Sequence, residues 1–369
     1  MNDASTAVTP SPDDREAVVL DRITAFRRRG PRLRDEFVTL AHGAGGKASA
    51  ALVETVFVEA FTEGDAGALP DAATLSLPSG ERLAFSTDSF VVQPLRFPGG
   101  SIGHLAVHGT VNDLAAQGAE PRWLSAAFVI EEGFSVEALR ELVADMAAAA
   151  RAAEVLIVTG DTKVVGRGAA DGVYITTAGV GVIPAGRELS PEHVRPGDVV
   201  LVSGTIADHG MAVMLARGDL ALEADIRSDT APLGGVVRDL LVAAPGTRWL
   251  RDPTRGGVGT IANELARDCG YAVVIDEASL PVLPAVVGAC DMLGIDPLYV
   301  ANEGKMVAVV PPDEAEVALG ALRAHPLGGA AAIIGEIAAE PAGIVVLRTT
   351  FGGTRIVDML VGDPLPRIC

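Results

Sequence analysis

The sequence has few cysteines, no long apolar run and a shortage of positive charge. Its 369 residues include only Cys269, Cys290 and Cys369, too few for a disulfide scaffold, which favours a reducing compartment. It lacks a run of about 18 uninterrupted apolar residues, so we expect no membrane-spanning helix. The first thirty residues are polar and lack the apolar segment of a signal peptide. These absences together predict a cytoplasmic protein.

The excess of negative charge limits the kinds of partner that the protein is expected to bind. Lysine and arginine number 29 against 48 aspartates and glutamates, a formal net charge of −19. This charge opposes general attraction to nucleic acids and to anionic membranes, so we expect neither as a partner. It does not oppose a nucleotide held at a local site. Hydrophobic residues make up 49% of the chain and charged residues 21%, which is typical of a folded protein.

The length predicts two domains, because one hydrophobic core seldom serves so many residues. Residues 1–37 are rich in Pro, Ser, Asp and Arg, and we expect a disordered extension there. Short apolar runs and amphipathic helical patterns then predict an α/β domain over 38–190 and another over 191–355, with a linker near Pro191–Gly197 between them. Residues 356–369 remain as a tail.

Two glycine-rich loops each precede a helical pattern. Gly43, Gly45 and Gly46 lie just before a predicted helix over 47–61, and a loop over 251–259 precedes another. Free N–H groups at a helix start suit a phosphate. The first loop lacks the spacing of a Walker A motif, and an ordinary turn explains it equally well.

Several acidic residues lie at predicted element ends. Asp88 ends a predicted strand that begins at Leu83, and Asn112 and Asp113 lie late in a predicted helix over 101–117. Carboxylates in such places suit Mg²⁺, which binds a few carboxylates together with phosphate oxygens. Either Asp71 or Asp88 taken alone is more often a turn or cap residue. A solvated helix face explains Asn112 and Asp113 about as well as a ligand does.

Two further polar groups are candidates for chemistry. Asp161 and Lys163 follow an apolar strand over 155–158, at the end where α/β folds usually bind ligands; an ion pair in a turn is the alternative. Glu303 precedes the strand predicted over 306–310 and is either a surface acid or a positioned base. We assign His209 no chemistry, since such a residue is more often a hydrogen-bonded structural histidine.

The tail ends in a thiol. Pro364 and Pro366 each fix φ and remove an N–H donor, so the segment cannot continue a helix or lie inside a sheet. We therefore expect an extended arm that carries Cys369 at its tip, exposed as chain ends usually are. Cys269 and Cys290 lie in apolar helical context and are predicted to be core residues.

Taken together, these segments resemble the HypE family, the carbamoyl dehydratases of nickel–iron hydrogenase maturation. That family belongs to the superfamily of aminoimidazole ribonucleotide synthetase and selenophosphate synthetase. The matching segments run in order along the chain: His42-Gly-Ala-Gly-Gly46, Ser86-Thr-Asp-Ser89, His108-Gly-Thr-Val-Asn-Asp-Leu-Ala115, Gly160-Asp-Thr-Lys-Val-Val165, Asp252-Pro-Thr-Arg-Gly-Gly257, Asn302-Glu-Gly-Lys305 and Pro366-Arg-Ile-Cys369. The last of these is the most specific, because the internal acids are shared across the superfamily.

The resemblance implies a two-domain PurM-like fold of the α/β (α+β) class, with a flexible tail and a homodimer formed through the N-terminal sheets. It also implies ATP and Mg²⁺ near the dimer interface. The residues expected to hold Mg²⁺ are Asp71, Asp88, Asp113 and Asp252. Those expected to line the nucleotide are Gly43, Gly45, Gly46, Asp88, Asn112, Asp113, Asp161, Thr162 and Asp252.

The resemblance implies a reaction as well. The carbamoyltransferase HypF would place a carbamoyl group on the sulfur of Cys369, and ATP would phosphorylate its carbonyl oxygen. Loss of phosphate and of the nitrogen protons would leave a thiocyanate, whose cyanide passes to iron on the HypC–HypD complex. Glu303 is the expected base and Lys163 the expected stabiliser of the transferring phosphoryl group, although the two roles could be exchanged.

Other functions are weighed against this one. A selenophosphate synthetase needs a reactive Cys or selenocysteine near the first glycine loop, whereas no Cys precedes Cys269 here. Thiamine monophosphate kinase gives no reason for a cysteine tail. A non-catalytic maturation scaffold that binds a nucleotide and docks a partner through its tail is the alternative from a different class.

Overall fold

The computed structural model describes residues 33, 35–62, 69–218, 224–360, 362 and 367–369. The extension predicted over 1–37 lies almost wholly outside the described residues, and so do Pro364 and Pro366 of the tail.

Mixed α and β structure fills the described chain. The strands are β1 (Ala73–Ser76), β2 (Arg82–Phe90), β3 (Arg96–Phe97), β4 (Gly100–Ser101), β5 (Glu120–Glu131), β6 (Leu156–Val165), β7 (Val173–Ile183), β8 (Val199–Val202), β9 (Trp249–Arg251), β10 (Ala272–Asp276), β11 (Val307–Val310), β12 (Ala332–Ala338), β13 (Val345–Arg348) and β14 (Thr354–Val357). The α-helices are α1 (Lys47–Leu52), α2 (Glu59–Phe61), α3 (Ile102–Ala116), α4 (Val136–Ala152), α5 (Asp208–Ala216), α6 (Gly234–Ala243), α7 (Gly257–Cys269), α8 (Pro284–Leu293) and α9 (Ala315–Ala324). A π-helical segment, Val53–Val58, joins α1 to α2.

The first sheet has the strand order β1-β2-β7-β5-β6, antiparallel except for the β5–β6 pair. Side chains alternate between its faces, so Phe90, Ala126 and Ile175 enter the core under α3 and α4. Helix α3 is apolar on nearly every side, since it lies between this sheet, α4 and the second domain. Its buried position brings the polar residues late in α3 into the interior.

The other face of the first sheet carries exposed apolar side chains. Phe85, Val180, Trp123 and Leu156 are register partners across β2, β7, β5 and β6, so they form one row on that face. Phe85, Trp123 and Leu156 are 41%, 44% and 64% exposed. We call this the open face. A solvent-facing row of large apolar side chains is typical of a surface that meets another protein.

The second sheet, β14-β13-β10-β12-β8-β11-β9, is covered on both faces. In β8, Val200 and Val202 pack with α7, whereas Leu201 between them packs with α6 and α9 on the opposite face. A strand buried on two sides needs apolar residues at every position rather than at alternate ones. The run Val199–Val202 meets that requirement. None of the helices in the described ranges is long and apolar enough to cross a bilayer.

Most of the predicted elements agree with the structure, and one difference matters for the site. The strand predicted over 155–158 does not end there but continues as β6 to Val165. Asp161 and Lys163 therefore lie within an edge strand, not in a loop after it, and strand alternation decides which face each occupies. Ser101 lies at the N-cap position of α3, but its hydroxyl donates to the Oδ2 of Asp145 at 2.7 Å and does not cap a helix N–H.

Two helix-interior glycines offer a matched test of this packing. A Cβ at Gly103 in α3 would lie 3.1 Å from the backbone nitrogen of Met146 and closer still to the carbonyl oxygen of Leu142, whereas a Cβ at Gly288 in α8 would meet nothing within 4 Å. We expect Gly103→Ala to destabilise the protein by about 1–3 kcal/mol. Gly288→Ala should instead stabilise it by roughly 0.5–1 kcal/mol.

Urea unfolding followed by circular dichroism measures both changes. Equal shifts of the unfolding midpoint in the two variants would contradict the close contact between α3 and α4.

Candidate active site between the two domains

Four predicted acids converge where the domains meet. Asp88 comes from β2, Asp113 from α3, Asp71 from just before β1 and Asp252 from just after β9. Ligand oxygens of Asp71, Asp113 and Asp252 all lie within 4.8 Å of one another. Asp88 and Asp113 are close enough for each to shift the pKa of the other. We call these four residues the acid cluster.

Hydrogen bonds and ion pairs fix the acid cluster. The hydroxyl of Ser86 lies 2.6 Å from the Oδ2 of Asp113 and 3.1 Å from the carbonyl oxygen of Asp71, so β2 anchors both acids. The Nε of Arg251 lies 2.7 Å from the Oδ1 of Asp71, and its Nη2 is 3.3 Å from Glu264. The cluster is thus held by groups from both domains.

The negative charge of the acid cluster exceeds the positive charge of the side chains around it. Burial is the main cause that raises the pKa of each acid; Asp71 reaches about 7, and the pKa values of Asp113 and Asp252 rise well above their ordinary range. Among the described residues, the Oδ2 atoms of Asp71 and Asp252 have no hydrogen-bond partner. Converging carboxylate oxygens without donors are the ligand set that a hard divalent cation prefers.

Glu303 is buried beside this cluster. Its side chain is 2% exposed, which rules out the interpretation as a surface acid. Its backbone N–H donates to the Oδ1 of Asp229 at 3.0 Å, and Lys305 holds the Oδ2 of Asp229 at 3.0 Å. Its Oε1 has no hydrogen-bond partner within the described part of the chain. Burial, and then the charges of Asp252 and Asp229, raise the pKa of Glu303 well above its usual range.

Arg255 connects the acids to the end of the chain. Cys369 is the largest cause that raises the pKa of Arg255, followed among the charged groups by Asp88 and Glu303. The Nη1 of Arg255 also donates to the carbonyl oxygen of Gly43 at 3.1 Å. The guanidinium therefore lies among the acid cluster, the first glycine loop and the last residue.

The first glycine loop packs closely on this arginine. Gly45 has φ +78°, and a Cβ there would lie 2.8 Å from the backbone oxygen of Arg255. A Cβ at Gly46 would collide with the carbonyl oxygen of Leu360, which accepts a hydrogen bond from the N–H of Lys47 at 3.0 Å. Contact with protein backbone explains these two glycines, while a Cβ at Gly43 would meet only open space.

The last three residues are docked, contrary to the expectation of an exposed end. The N–H groups of Val91 and Gln93 donate to the carbonyl oxygens of Cys369 and Arg367 at 3.0 and 3.2 Å, an antiparallel pairing beyond β2. Ile368 is 4% exposed and lies in the core of the first domain. Burial of this side chain and pairing of the backbone offset the usual fraying of a chain end. Cys369 itself is half-buried.

Asn112 is buried, so the interpretation as a solvated face is wrong. Its amide nitrogen donates to the backbone oxygens of Ala231 and Glu303 at 3.1 and 3.2 Å, and its amide oxygen accepts from the N–H of Leu233 at 2.8 Å. Asn112 thus fixes the backbone that carries Glu303. Contact with a nucleotide stays a prediction for this residue.

Asp161, Thr162 and Lys163 lie apart from the acid cluster. Asp161 and Lys163 are more than half exposed and paired at 2.6 Å, and the backbone N–H of Thr162 donates to Asp161 at 2.8 Å. Asp161 and Lys163 are register partners of Ala127 and Val129, so they point to the open face. Asp88 shares the covered face with Ala126, and its strand β2 lies three strand spacings from β6, or roughly 14 Å across the sheet.

Sequence reasoning missed four charged residues of the site. Arg255 and Lys305 lie inside the quoted segments Asp252–Gly257 and Asn302–Lys305, so their motifs could have pointed to them. Arg251 begins the second glycine-rich loop, but its ion pair with Asp71 forms only after folding, and Asp229, which pairs with Lys305, lies in no segment singled out from the sequence.

Comparison with known proteins assigns the family. Residues 69–183 match the AIR synthase related protein, N-terminal domain, and residues 195–348 match the C-terminal domain of the same family. The carbamoyl dehydratase HypE of Rhodobacter capsulatus is 58% identical over 340 residues, which are 91% of this chain and 99% of that protein. The chain belongs to the HypE family. The predicted family is thereby confirmed.

Solved HypE structures agree with the fold. A chain of a HypE–HypF complex superposes with a TM-score of 0.79 at 48% identity, covering 84% of this chain and 100% of that one. HypE in complex with ATP superposes with a TM-score of 0.75 at 46% identity, covering 90% and 100%. The two-domain PurM-like fold and the assignment to an enzyme family of hydrogenase maturation are confirmed.

The crowded carboxylates predict a pH dependence of stability. Asp71 has an ordinary pKa of 3.8 and a native pKa of about 7, so the native state holds protons that the unfolded chain releases. The stability that such groups contribute is present at low pH and is lost as pH rises through the native pKa. Asp113→Asn removes one repelling charge. Without divalent cations, we expect this variant to lose less stability than wild type between about pH 5 and about pH 8, by on the order of 1 kcal/mol.

Urea unfolding in a chelating buffer at the two pH values measures this difference. Asp239→Asn, at an exposed position on α6, serves as the control and should follow wild type. If Asp113→Asn also follows wild type, repulsion within the acid cluster does not shape its stability.

Proposed function

We propose that this chain uses ATP to dehydrate a carbamoyl group carried on Cys369, producing a thiocyanate for the cyanide ligands of nickel–iron hydrogenases. The observation that carries the proposal is the docking of Cys369 beyond β2, the strand that carries Asp88; charge on Cys369 also acts on Arg255, as do Asp88 and Glu303. The residue that bears the thiol is thereby placed near the carboxylates suited to a metal–nucleotide complex. Relatives named carbamoyl dehydratase HypE support the reaction, and a HypE structure in complex with ATP supports the nucleotide.

We propose Asp71, Asp88, Asp113 and Asp252 as ligands of Mg²⁺. The donor-free oxygens of Asp71 and Asp252 fit such an ion, and the raised pKa values of these acids mean that its arrival would displace protons. Mg²⁺ would neutralise the phosphates and align the phosphoryl transfer. The Gly43–Gly46 loop, beside Arg255, is proposed to line the nucleotide.

The chemistry divides into two steps. The carbonyl oxygen of the carbamoyl group first bonds to the γ-phosphorus of ATP, and ADP leaves. The C–O bond then breaks, phosphate leaves with that oxygen, and the two N–H protons are lost, so that S–C(=O)–NH₂ becomes S–C≡N. The net change is the loss of one water from the carbamoyl group, whose oxygen ends in the released phosphate. The protein must therefore supply a base and positive charge near the reacting oxygen.

Glu303 is the proposed base. Burial and the surrounding negative charge raise the pKa of Glu303 and keep it protonated, whereas Arg255 lowers that pKa. Positive charge that arrives with the substrates would lower this pKa further and free the carboxylate to accept a proton. A positioned base contributes on the order of 10²–10⁴-fold to the rate.

We propose that Lys163 acts across a homodimer. Its side chain lies on the open face, opposite the acid cluster of its own chain, and on the edge strand β6. The exposed row that contains Phe85 and Trp123 gives this face the apolar surface that a dimer contact needs. Asp161, paired with Lys163, would enter the partner's site with it. Because the partner's acid cluster lies on the covered face of its own sheet, Lys163 would reach the partner's transferring phosphoryl group past the edge of that sheet, which its place on the edge strand β6 favours.

Two further partners follow from the same proposal. The HypE–HypF complex supports the carbamoyltransferase HypF as the source of the carbamoyl group. We propose the HypC–HypD complex as acceptor of the cyanide, since a thiocyanate carbon on Cys369 needs a metal centre to receive it. Both transfers require Cys369 to leave its docked position.

The first test concerns the thiol. We expect Cys369→Ala to abolish dehydration while ATP binding, measured by calorimetry, stays within about twofold of wild type, since the acid cluster is unchanged. In wild type carbamoylated by HypF, ATP should lower the mass of the C-terminal peptide by one water. If ATP causes no such mass loss, the proposed dehydratase mechanism is wrong. A lack of tail-dependent ATP hydrolysis as well would favour the non-catalytic scaffold.

The second test concerns Lys163 in the dimer. We expect Lys163→Ala and Cys369→Ala homodimers to be inactive. A heterodimer of the two, purified through different N-terminal tags, holds one site with Cys369 and the partner's Lys163. It should regain about half of the wild-type activity, because one of two symmetric sites is complete. A heterodimer as inactive as its parents would show that Lys163 does not serve the partner's site.

A further inference from the structure

A buried histidine bonds to the docked end of the chain. His209, on α5 of the second domain, has no exposed surface, and its Nε2 lies 2.7 Å from the carbonyl oxygen of Ile368. A carbonyl only accepts hydrogen bonds, so Nε2 carries the proton. The Nδ1 lies 2.8 Å from the hydroxyl of Ser228 and accepts from it, since burial lowers the pKa of His209 and favours the neutral ring.

The ring has no freedom to turn away from this bond. Phe97 meets it edge-on at 5.4 Å between ring centroids, with an angle of 85° between the planes. Ser228 is itself fixed, because its backbone N–H donates to the carbonyl oxygen of Pro98 at 2.7 Å and its hydroxyl accepts from the N–H of Thr230 at 3.1 Å. The donor on Nε2 is therefore held toward Ile368.

The start of α5 is tied to the loop of the proposed base. Ala207, just before the helix, has φ +75°, a conformation that costs a non-glycine residue free energy. The side chain of Asn302 holds it by accepting from the N–H of Ala207 at 2.8 Å, and Gly210 donates to the carbonyl oxygen of Ala301 at 3.0 Å. His209 and Glu303 are thus carried on backbone segments that are bonded to each other.

The docked end lies between the two domains. Val91 and Gln93 of the first domain pair with its backbone, while His209 and Arg217 approach from the second. The Nη2 of Arg217 donates to the carbonyl oxygen of Arg367 at 2.7 Å, and its Nε donates to that of Gln93 at 2.9 Å. A histidine that only filled the core would bond within its own domain. The single ring N–H of the neutral His209 instead donates to Ile368, the residue next to Cys369.

We propose that His209 is a positioning residue that holds the last three residues in the docked arrangement and so sets Cys369 at the end of β2, the strand that carries Asp88. It does not touch the reacting atoms. Its N–H fixes the carbonyl of Ile368, and the next residue carries the sulfur. The link to dehydration rests on the proposed function, whereas the link to docking does not.

The test measures how often Cys369 becomes accessible in the full-length protein without nucleotide. The rate of alkylation by iodoacetamide, followed by mass spectrometry of the C-terminal peptide, reports this. His209→Phe keeps the ring but removes the donor, and we expect the rate to rise about threefold to tenfold, since the lost bond no longer favours the docked state. His209→Gln places an amide N–H close to the former Nε2 and should restore a rate near that of wild type.

Two controls accompany these variants. Alkylation of Cys290, which is buried, must stay unchanged, so that a faster reaction at Cys369 does not reflect unfolding. Asp171→Asn removes an exposed ion pair to Arg367 at 2.6 Å but no contact to Ile368, and it should change the rate by less than about twofold.

The outcomes separate the inference from the proposed function. Equal alkylation of Cys369 in wild type and His209→Phe overturns the inference, whatever their activities. Faster alkylation in His209→Phe, restored by His209→Gln, supports it even if wild type shows no dehydration. In carbamoylated protein, a slower single-turnover dehydration by His209→Phe at unchanged ATP affinity supports the positioning role, and an unchanged rate overturns that role.

Discussion

Repulsion among buried carboxylates is the constraint on which this site depends. Asp71, Asp88 and Asp113 come from the first domain and Asp252 from the second, and burial raises the pKa of all four. The nearby positive charges, on Arg251 and Arg255, flank Asp252 and so belong to the second domain. Neither domain alone balances its charges, so the arrangement of the two domains is itself part of the site.

The same negative charge also affects the protonation state of Glu303, the proposed base. Asp252 and Asp88 raise the pKa of Glu303, so a cation that neutralises those acids also favours the ionised form of Glu303. Burial is the largest cause of the raised pKa of Glu303, and such a cation would add to the availability of the proposed base by offsetting the charge of the acid cluster. Asn112 and Asp229 hold the backbone of Glu303 in place throughout, because both bond to its main chain rather than to its carboxyl.

Local pattern predicted the elements and the acids, whereas tertiary contacts decided the rest. The helix α4 follows from its apolar periodicity, and local pattern singled out Asp88 at a predicted strand end and Asp113 late in a predicted helix. The four acids were expected as one metal-binding set only from the family resemblance. Asp161 and Lys163 were expected in a loop, since a residue-by-residue reading cannot tell where an edge strand stops. Arg251 and Asp229 were missed because their partners lie far along the chain.

The favourable and unfavourable free energies of docking residues 367–369 nearly cancel, so Cys369 can be both docked and released. Burial of Ile368 contributes about 1.5–3 kcal/mol, and the four hydrogen bonds to residues 367–369 from Val91, Gln93, His209 and Arg217 contribute about 1 kcal/mol each. Fixing three residues costs about 1–2 kcal/mol each in backbone entropy, before the entropy of their side chains is counted. The difference is a few kcal/mol at most. Cys369 can therefore rest in the docked arrangement and still be released, and the loss of one hydrogen bond changes how often that happens.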